Sequence, residues 1–311
     1  MAQAIHPDTR MGAVHLTVAD LDRSLAFYQN VMGMAVHGRG PEATGSAGDT
    51  RTAARLGAAE EELLVLVEEP AARAYGGTSG LYHFAVLVPS RKELAWSLRR
   101  LAETRTPIQG VVDHWISEAI YLSDPDGNGI EIARDRRREA WPPMETLAAR
   151  GNGPVDLEGL FAELDARDGT WPGLDRGTTI GHVHLHVADL EQAEGFYHGA
   201  LGFDIMARYG SQATFVSAGG YHHHIGVNTW AGVGVRPPPP DAVGLRYFEV
   251  WLPDQAELER ALTRVGRAEH VMEERSDGVL VRDPSQNGVL LTAAPERVAQ
   301  GTDRGGGRVA G

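Results

Sequence analysis

Histidine and carboxylate are the side chains of this sequence that could hold a transition metal. The chain has 13 histidines and no cysteine. The lack of cysteine excludes disulfides, cysteine nucleophiles, thiolate zinc sites and iron–sulfur clusters. Histidines concentrate in the alternating run His182-Val-His-Leu-His186 and in the continuous run His222-His-His224. Because imidazole and carboxylate suit borderline divalent ions, metal-assisted chemistry is the chemistry that these residue types allow.

Composition and charge are those of a globular protein with a sizeable core. Of 311 residues, 42% are hydrophobic and 23% are charged, and this length suggests two domains of roughly 150 residues. With 29 basic against 42 acidic residues the net charge is −13, which argues against nucleic acid as a partner. No apolar stretch reaches the roughly 18 residues of a membrane span, and the first residues lack a signal-peptide pattern. We therefore expect a cytoplasmic protein that binds neither nucleic acid nor membrane.

Internal repetition organises the chain. Val18-Ala-Asp-Leu21 recurs as Val187-Ala-Asp-Leu190, Gly80-Leu81 as Gly244-Leu245, and Asp124-Pro125 as Asp283-Pro284. The nearly constant spacing indicates a tandem duplication.

Each half contains a fainter duplication of a β-α-β-β-β unit. In the first half, strand-like alternation over 13–18 and 83–88 is followed by helical spacing over 20–31 and 91–101. Asp20 and Ser90 are predicted N-caps of these two helices. The whole chain then contains four units, here called units one to four: about 11–70, 80–135, 180–230 and 243–294.

The units imply a domain plan. We expect one domain over residues 1–135, a linker over 136–178, a second domain over 179–296 and a disordered tail over 297–311. An amphipathic pattern over Val155–Leu164 predicts one helix in the linker. The fold class is α+β.

The sequence resembles the vicinal oxygen chelate superfamily, whose members include glyoxalase I, bleomycin-resistance proteins and extradiol dioxygenases. The motifs that carry the resemblance are Gly80-Leu-Tyr-His-Phe-Ala85, Asp124-Pro-Asp-Gly-Asn-Gly-Ile-Glu131 and Gly181-His-Val-His-Leu-His-Val-Ala-Asp-Leu190. Gly219-Gly-Tyr-His-His-His-Ile-Gly226 with Ser117-Glu-Ala-Ile-Tyr121 is similar to bacterial catechol-2,3-dioxygenase-like proteins with two domains. The resemblance implies that the four units pair into two curved mixed β-sheets around clefts, with helices outside.

The resemblance also implies where metal ligands lie, namely on the first and last strands of the units. The first-strand positions are occupied by Ala13, His83, His182 and Tyr247, and the last-strand positions by Glu131, Leu290 and residues near Leu66 and Gly226. The implied ligands are therefore His83, Glu131 and His182. Two histidines and one carboxylate form the facial triad of non-heme Fe(II) oxygenases, so Fe(II) is the expected metal, with Mn(II) as the alternative.

Three further residues match the extradiol pattern. Tyr121 and His114 match an active-site tyrosine and histidine that would hydrogen-bond developing oxyanions, and His223 matches an acid–base histidine. If residues 222–224 continue a strand, alternation places His223 on the opposite face from His222 and His224, although a twisted strand end could change which of them faces the cleft. No role is assigned to the remaining histidines: His6, His15, His37, His184, His186, His198 and His270.

The ligand count predicts how the units pair. Units one and two together offer only His83 and Glu131, whereas units three and four offer only His182. A catalytic metal site needs about three protein ligands, and unit two with unit three supplies all of them. We therefore predict crossed pairing, with a cleft without metal between units one and four.

These observations predict an Fe(II)-dependent extradiol ring-cleaving dioxygenase that acts on a catechol-like aromatic and O₂ in aromatic-compound catabolism. One alternative is a glyoxalase-like metal-dependent isomerase or lyase, which usually has a fourth protein ligand. Another is a metal-free protein that binds a small molecule or drug. For the assembly we consider a homodimer.

Overall fold

The computed structural model of this chain describes residues 4–43, 50–143, 146–147, 150–165 and 169–294. Units one and two contribute eight strands: β1 Arg10–Val18, β2 Ala35–Ala43, β3 Thr50–Ala58, β4 Glu61–Glu68, β5 Gly80–Leu87, β6 Ile108–Asp113, β7 Ser117–Ser123 and β8 Gly129–Asp135. Units three and four contribute eight more: β9 Thr179–His186, β10 Asp204–Tyr209, β11 Ala213–Ser217, β12 Ile225–Asn228, β13 Gly244–Leu252, β14 Met272–Arg275, β15 Gly278–Arg282 and β16 Gly288–Ala293. The predicted tail lies outside the described residues.

The strands form two mixed sheets of eight, and each sheet combines units from both halves of the chain. The first has the order β14-β15-β16-β13-β1-β4-β3-β2, and the second has the order β10-β11-β12-β9-β5-β8-β7-β6. Unit one therefore pairs with unit four, and unit two pairs with unit three. This order confirms the crossed pairing and the α+β fold of four tandem units.

The first strand of each unit explains why the sheets join where they do. Within a unit this strand pairs in parallel with the last strand, as β1 does with β4 and β5 does with β8. Its other edge would expose unpaired backbone groups. Antiparallel pairing of β1 with β13, and of β5 with β9, covers these edges.

Helices connect the first and second strands of the units. They are α1 Leu21–Asn30, α2 Arg91–Glu103, α4 Leu190–Glu194 with a π-helical turn at Gly195–Ala200, and α5 Gln255–Arg267. The predicted N-caps hold, since the side chains of Asp20 and Ser90 accept hydrogen bonds from the amides of Arg23 and Glu93. In the described part of the chain, no helix has the length and apolar character that crossing a membrane requires.

The linker packs against the second sheet. A 3₁₀ turn spans Arg138–Ala140, and helix α3, Leu157–Phe161, is shorter than the amphipathic pattern suggests. Arg91 at the start of α2 forms a bidentate contact with the buried Glu118, at 2.9 and 3.1 Å, and also donates to the carbonyl oxygen of Asp156. These contacts hold the linker beside the β6–β7 turn.

Buried tyrosine–aspartate pairs join consecutive units. The Tyr28 hydroxyl on α1 donates to Asp124 at 2.9 Å, and the Tyr197 hydroxyl donates to Asp283 at 3.1 Å. Each aspartate begins the turn before the last strand of the next unit. In each half of the duplication, equivalent contacts therefore hold the two units together, although each sheet combines units from both halves.

Candidate metal centre

Three neighbouring strands in the middle of the second sheet bring the predicted ligands together. On β5, Ala85 pairs with Glu131 of β8 on one side and with His182 of β9 on the other. His83 lies two residues before Ala85, and side chains two residues apart on a strand share a face. The three side chains therefore project from one face of the sheet.

The ligand atoms of these side chains meet at one point. Nε2 of His83 lies 3.2 Å from Nε2 of His182, and Oε2 of Glu131 lies 3.1 Å from the first and 3.0 Å from the second. An ion about 2.1 Å from three mutually perpendicular ligands would hold them about 3.0 Å apart. The spacing and the donor set of two nitrogens and one oxygen fit a divalent ion with open coordination positions.

Electrostatics favour the forms of these groups that bind metal. Burial acts to raise the pKa of the Glu131 carboxyl, but the neighbouring His182 and His83 hold this pKa well below its ordinary value. Burial lowers the pKa of His83 and outweighs the opposing effect of Glu131. At neutral pH the site therefore presents a carboxylate and a neutral His83 imidazole.

Tyr121 and His114 lie beside the three ligand side chains. Tyr121 pairs with Glu131 across the β7–β8 ladder, and its hydroxyl lies 2.8 Å from Nε2 of His114. The other nitrogen of His114 lies 2.9 Å from Oδ1 of the linker residue Asn152. Because an amide oxygen only accepts, Nδ1 of His114 donates to it, and Nε2 then accepts the Tyr121 proton. Burial and the charge of Glu131 raise the pKa of Tyr121 well above its ordinary value, so this phenol stays protonated.

The histidine run lies in the connection between β11 and β12 rather than in a strand. His223 packs on the His182 ring, with ring centroids 4.1 Å apart, whereas the buried His222 lies farther from that ring, at 6.2 Å. His224 bonds Ser217 at 2.8 Å, and burial lowers its pKa to about 3. Of the three, His223 is the one that packs closest to a predicted ligand.

Comparison with known proteins gives a consistent result. Residues 10–132 match the Glyoxalase/Bleomycin resistance protein/Dioxygenase superfamily, and residues 179–217 match the bleomycin resistance protein-like N-terminal family. The chain is 46% identical over 285 residues to a Bacillus subtilis protein named catechol-2,3-dioxygenase. The aligned residues cover 90% of this chain and 96% of that protein. The chain belongs to the Glyoxalase/Bleomycin resistance protein/Dioxygenase superfamily.

Two solved structures of low sequence identity have a similar fold. Glyoxalase I from Zea mays aligns with a TM-score of 0.56 at 16% identity, over 92% of each chain. The cppA protein from Streptococcus pneumoniae aligns with a TM-score of 0.52 at 16% identity, over 94% of this chain and all of that one. At such identities the likeness concerns the fold alone.

The remaining ligand positions of the superfamily pattern carry no ligand in this chain. Gly226 pairs with His184 as Glu131 pairs with Ala85, so glycine occupies the last-strand position of unit three. In unit one the β1–β4 register places Val65 at this position, one residue from the expected Leu66.

At the corresponding positions between units one and four, side chains contact one another instead of presenting a set of ligands. Ala13, Tyr247 and Leu290 replace the ligands there, and all three side chains are buried. His15 stacks on Tyr247 at 4.1 Å, and its Nε2 lies 2.8 Å from Oε1 of Glu249. Among the described residues, this cleft therefore contains a largely buried histidine–carboxylate pair but no converging third ligand.

Two other histidines of β9, His184 and His186, lie near the site but are not among the three ligand side chains. The ring of His184 lies 5.1 Å from that of His83, and its Nε2 has no hydrogen-bond partner among the described residues. Its ring packs over Gly226, where a Cβ would come within 2.9 Å of it. His186 bonds Asn228 at 2.7 Å.

Sequence reasoning missed several residues around the site. Asn152 comes from the linker and Asp135 from the end of β8, and neither has a motif that marks it. Tyr82 and Trp230, 40% and 44% exposed, meet edge to face at 5.2 Å beside His184. What distinguishes Tyr82 and Trp230 is the exposure of their large aromatic side chains, and a sequence does not show exposure.

Proposed function

We propose that this protein is an extradiol ring-cleaving dioxygenase that uses a divalent metal, Fe(II), held by His83, Glu131 and His182. The observation that carries the proposal is the convergence of these three buried ligand atoms within 3.2 Å of one another. The 46% identical relative named catechol-2,3-dioxygenase supports the same reaction. Because the donor set also suits Mn(II), metal analysis has to decide between the two ions.

The substrate that we propose is a catechol-like aromatic. Tyr82 and Trp230 expose aromatic faces near His184, and an aromatic ring packs favourably against such edges and faces. When bound, the metal would supply Lewis acidity toward the two diol oxygens and an open position for O₂. Three protein ligands leave room for both partners.

The surrounding residues would bind and move protons. Nδ1 of His223 is engaged by His222, so Nε2 would be the atom that accepts a proton from the substrate. Tyr121 and His114 would stabilise negative charge that develops on substrate oxygens. Because their protons otherwise point to His114 and Asn152, both groups would turn toward the substrate to do so.

The two alternative functions agree less well with the three-ligand site. A glyoxalase-like isomerase would need a fourth protein ligand, and the position that could supply it in the same pair of units is Gly226. A metal-free binding protein would give no reason for two imidazole nitrogens and a carboxylate oxygen to converge while buried. Neither observation favours a second function over the first.

The test begins with anaerobic purification and metal analysis. After loading with Fe(II), the protein should consume one O₂ for each catechol and give a yellow ring-opened product. The proposal fails if no aromatic diol from a panel is turned over while a hemithioacetal or an epoxide is. Chromatography of the same sample would test the homodimer, and fractionation of the source cells would test a cytoplasmic location.

A further inference from the structure

Behind His223 lies a series of hydrogen bonds that ends on a carboxylate. Nδ1 of His223 lies 2.8 Å from Nδ1 of His222. Nε2 of His222 lies 3.2 Å from Oδ1 of Asp135, at the end of β8. The hydroxyl of Tyr221 donates to the second oxygen of Asp135 at 2.7 Å. His222 is 3% exposed, so water has little access to the middle of this series.

The protons of this series can be placed by the properties of its groups. A carboxylate only accepts, so Nε2 of His222 donates to Asp135. In a neutral imidazole the other nitrogen then accepts, and Nδ1 of His223 must be the donor to it. The remaining nitrogen of His223, Nε2, carries a lone pair.

We propose that Asp135 and His222 are positioning residues that hold His223 in the tautomer whose Nε2 can accept a proton. The inference rests on the proposed function, because it concerns the acid–base residue of that reaction. When the substrate is deprotonated, its O–H proton moves to Nε2 of His223. The proton on Nδ1 stays in place, and the positive charge that forms on His223 is stabilised through His222 by Asp135.

The cleft between units one and four has no equivalent of Asp135. Glu131 and Leu290 are equivalent ligand positions, and four residues beyond them lie Asp135 and Ala294. The cleft that lacks ligands therefore lacks the carboxylate as well. Asp135 belongs to unit two and His222 to unit three, so the crossed pairing brings both together.

The decisive variant is Asp135→Asn. Its amide can donate to Nε2 of His222, which reverses the series and places the proton of His223 on Nε2. In the serine-protease triad the equivalent change leaves the geometry intact and costs about 10⁴ in kcat through the wrong tautomer. Here we expect kcat to fall by about 10²–10⁴, while KM and bound metal change by less than about twofold.

A matched control is Tyr221→Phe. It removes the other hydrogen bond to Asp135 but keeps the carboxylate and both histidines, so kcat should stay within about threefold of the parent value, since the lost bond is not on the path from Asp135 through His222 to His223. If Tyr221→Phe slows turnover as much as Asp135→Asn does, the effect comes from local structure and the proposal is overturned.

Combining variants separates positioning from a general loss of activity. If Asp135 acts through His223, then Asp135→Asn combined with His223→Phe should be no slower than His223→Phe alone, because residues that act as a unit are non-additive. Losses that multiply would overturn the proposal.

A spectroscopic measurement does not depend on turnover. In metal-free protein labelled with ¹⁵N-histidine, the signals of His223 are assigned by their loss in His223→Phe. They should report a protonated Nδ1 in the parent and a protonated Nε2 in Asp135→Asn. A parent with the proton on Nε2 would refute the tautomer assignment, whereas failure to turn over any diol would refute only the proposed function.

Discussion

The two sheets share one plan, and each contains a carboxylate next to histidine, largely buried in the case of Glu249 and buried in the case of Glu131. In the cleft of units one and four, Glu249 accepts from His15 at 2.8 Å, from the Trp251 indole at 2.7 Å and from the amide of Ala13 at 3.3 Å. In the cleft of units two and three, Oε2 of Glu131 instead meets two imidazole nitrogens that also approach each other. The comparison teaches that the partners of a buried carboxylate indicate its role. Three hydrogen-bond donors satisfy the carboxylate of Glu249. Oε2 of Glu131 instead lies beside two imidazole nitrogens that could bind a cation together with it.

Removal of a ligand is the strongest way to test this difference. His83→Ala or Glu131→Ala should reduce bound divalent metal from about one ion per chain to almost none, since two ligands rarely retain a catalytic ion. Elemental analysis after anaerobic purification measures the content. Glu249→Gln is the matched control and should retain the ion. A second equivalent that persists in both ligand variants would show that the other cleft binds metal too.

His223→Phe should separate metal binding from catalysis. The ring of His223 lies against His182, but its nitrogens do not join the group of three ligand atoms. Turnover should slow by about 10²–10⁴-fold, the usual contribution of a positioned acid–base group. Oxygen-uptake kinetics and elemental analysis of one sample check both properties. Loss of the metal would mean that His223 is a ligand.

Glu249→Gln should instead affect stability. Replacing a hydrogen-bonded buried carboxylate should lower the free energy of unfolding by about 1–3 kcal/mol at pH 7, as measured by urea titration, with turnover unchanged. A loss of turnover with stability unchanged would contradict the structural role that the comparison assigns to Glu249.

The difference in stability between the parent and Glu249→Gln should depend on pH in a defined direction. Burial opposes ionisation of Glu249, but its bonds to His15 and Trp251 hold its pKa below the ordinary value. A lowered folded-state pKa contributes stability above the unfolded value of about 4.3, and that contribution is lost as pH falls through the folded-state pKa. The difference between parent and Glu249→Gln should therefore shrink below about pH 4. Glu131 titrates in both proteins and cancels.

The smallest effect should come from the contacts that both halves retain. Tyr28→Phe and Tyr197→Phe each remove one hydrogen bond to a buried aspartate, and each should cost about 1–2 kcal/mol. Urea unfolding of the two variants should give similar values, because Asn128 and Asn287 still bond the respective aspartates at 2.9 Å. A large loss in one variant alone would show that the halves are not equivalent in this respect.

Repetition made much of the fold predictable. The repeated motifs locate the first and last strands of all four units, and counting ligands over these positions predicts the crossed pairing that the sheet order shows. The register was harder to predict. A β-bulge between Met11 and Val14, and a further shift after His15, mark β1 as irregular, and spacing along a sequence does not reveal such insertions.

The surroundings of the site were less predictable because they depend on irregular backbone. Gly219 and Gly220 adopt positive φ values of 59° and 68°, which end the strand before the histidine run. Alternation along a strand therefore does not apply to His223, although its ring still packs closer to His182 than the ring of His222 does. Asn152 reaches His114 from a linker that has no counterpart elsewhere in the repeat, so no comparison within the sequence points to it.

The crossed pairing of the sheets has a consequence for how a ribosome delivers this chain. β1 precedes the other strands along the chain, but its partner β13 is made only after the first three units have been synthesised. Until then the edge of β1, with the buried residues Val14 and Leu16, is an open template for other strands. β5 waits in the same way for β9, so a nascent chain holding only the first two units carries His83 and Glu131 but cannot complete the predicted triad. Synthesis order and assembly order therefore differ, because β1 can pair early with β4 of its own unit but gains its second neighbour, β13, late.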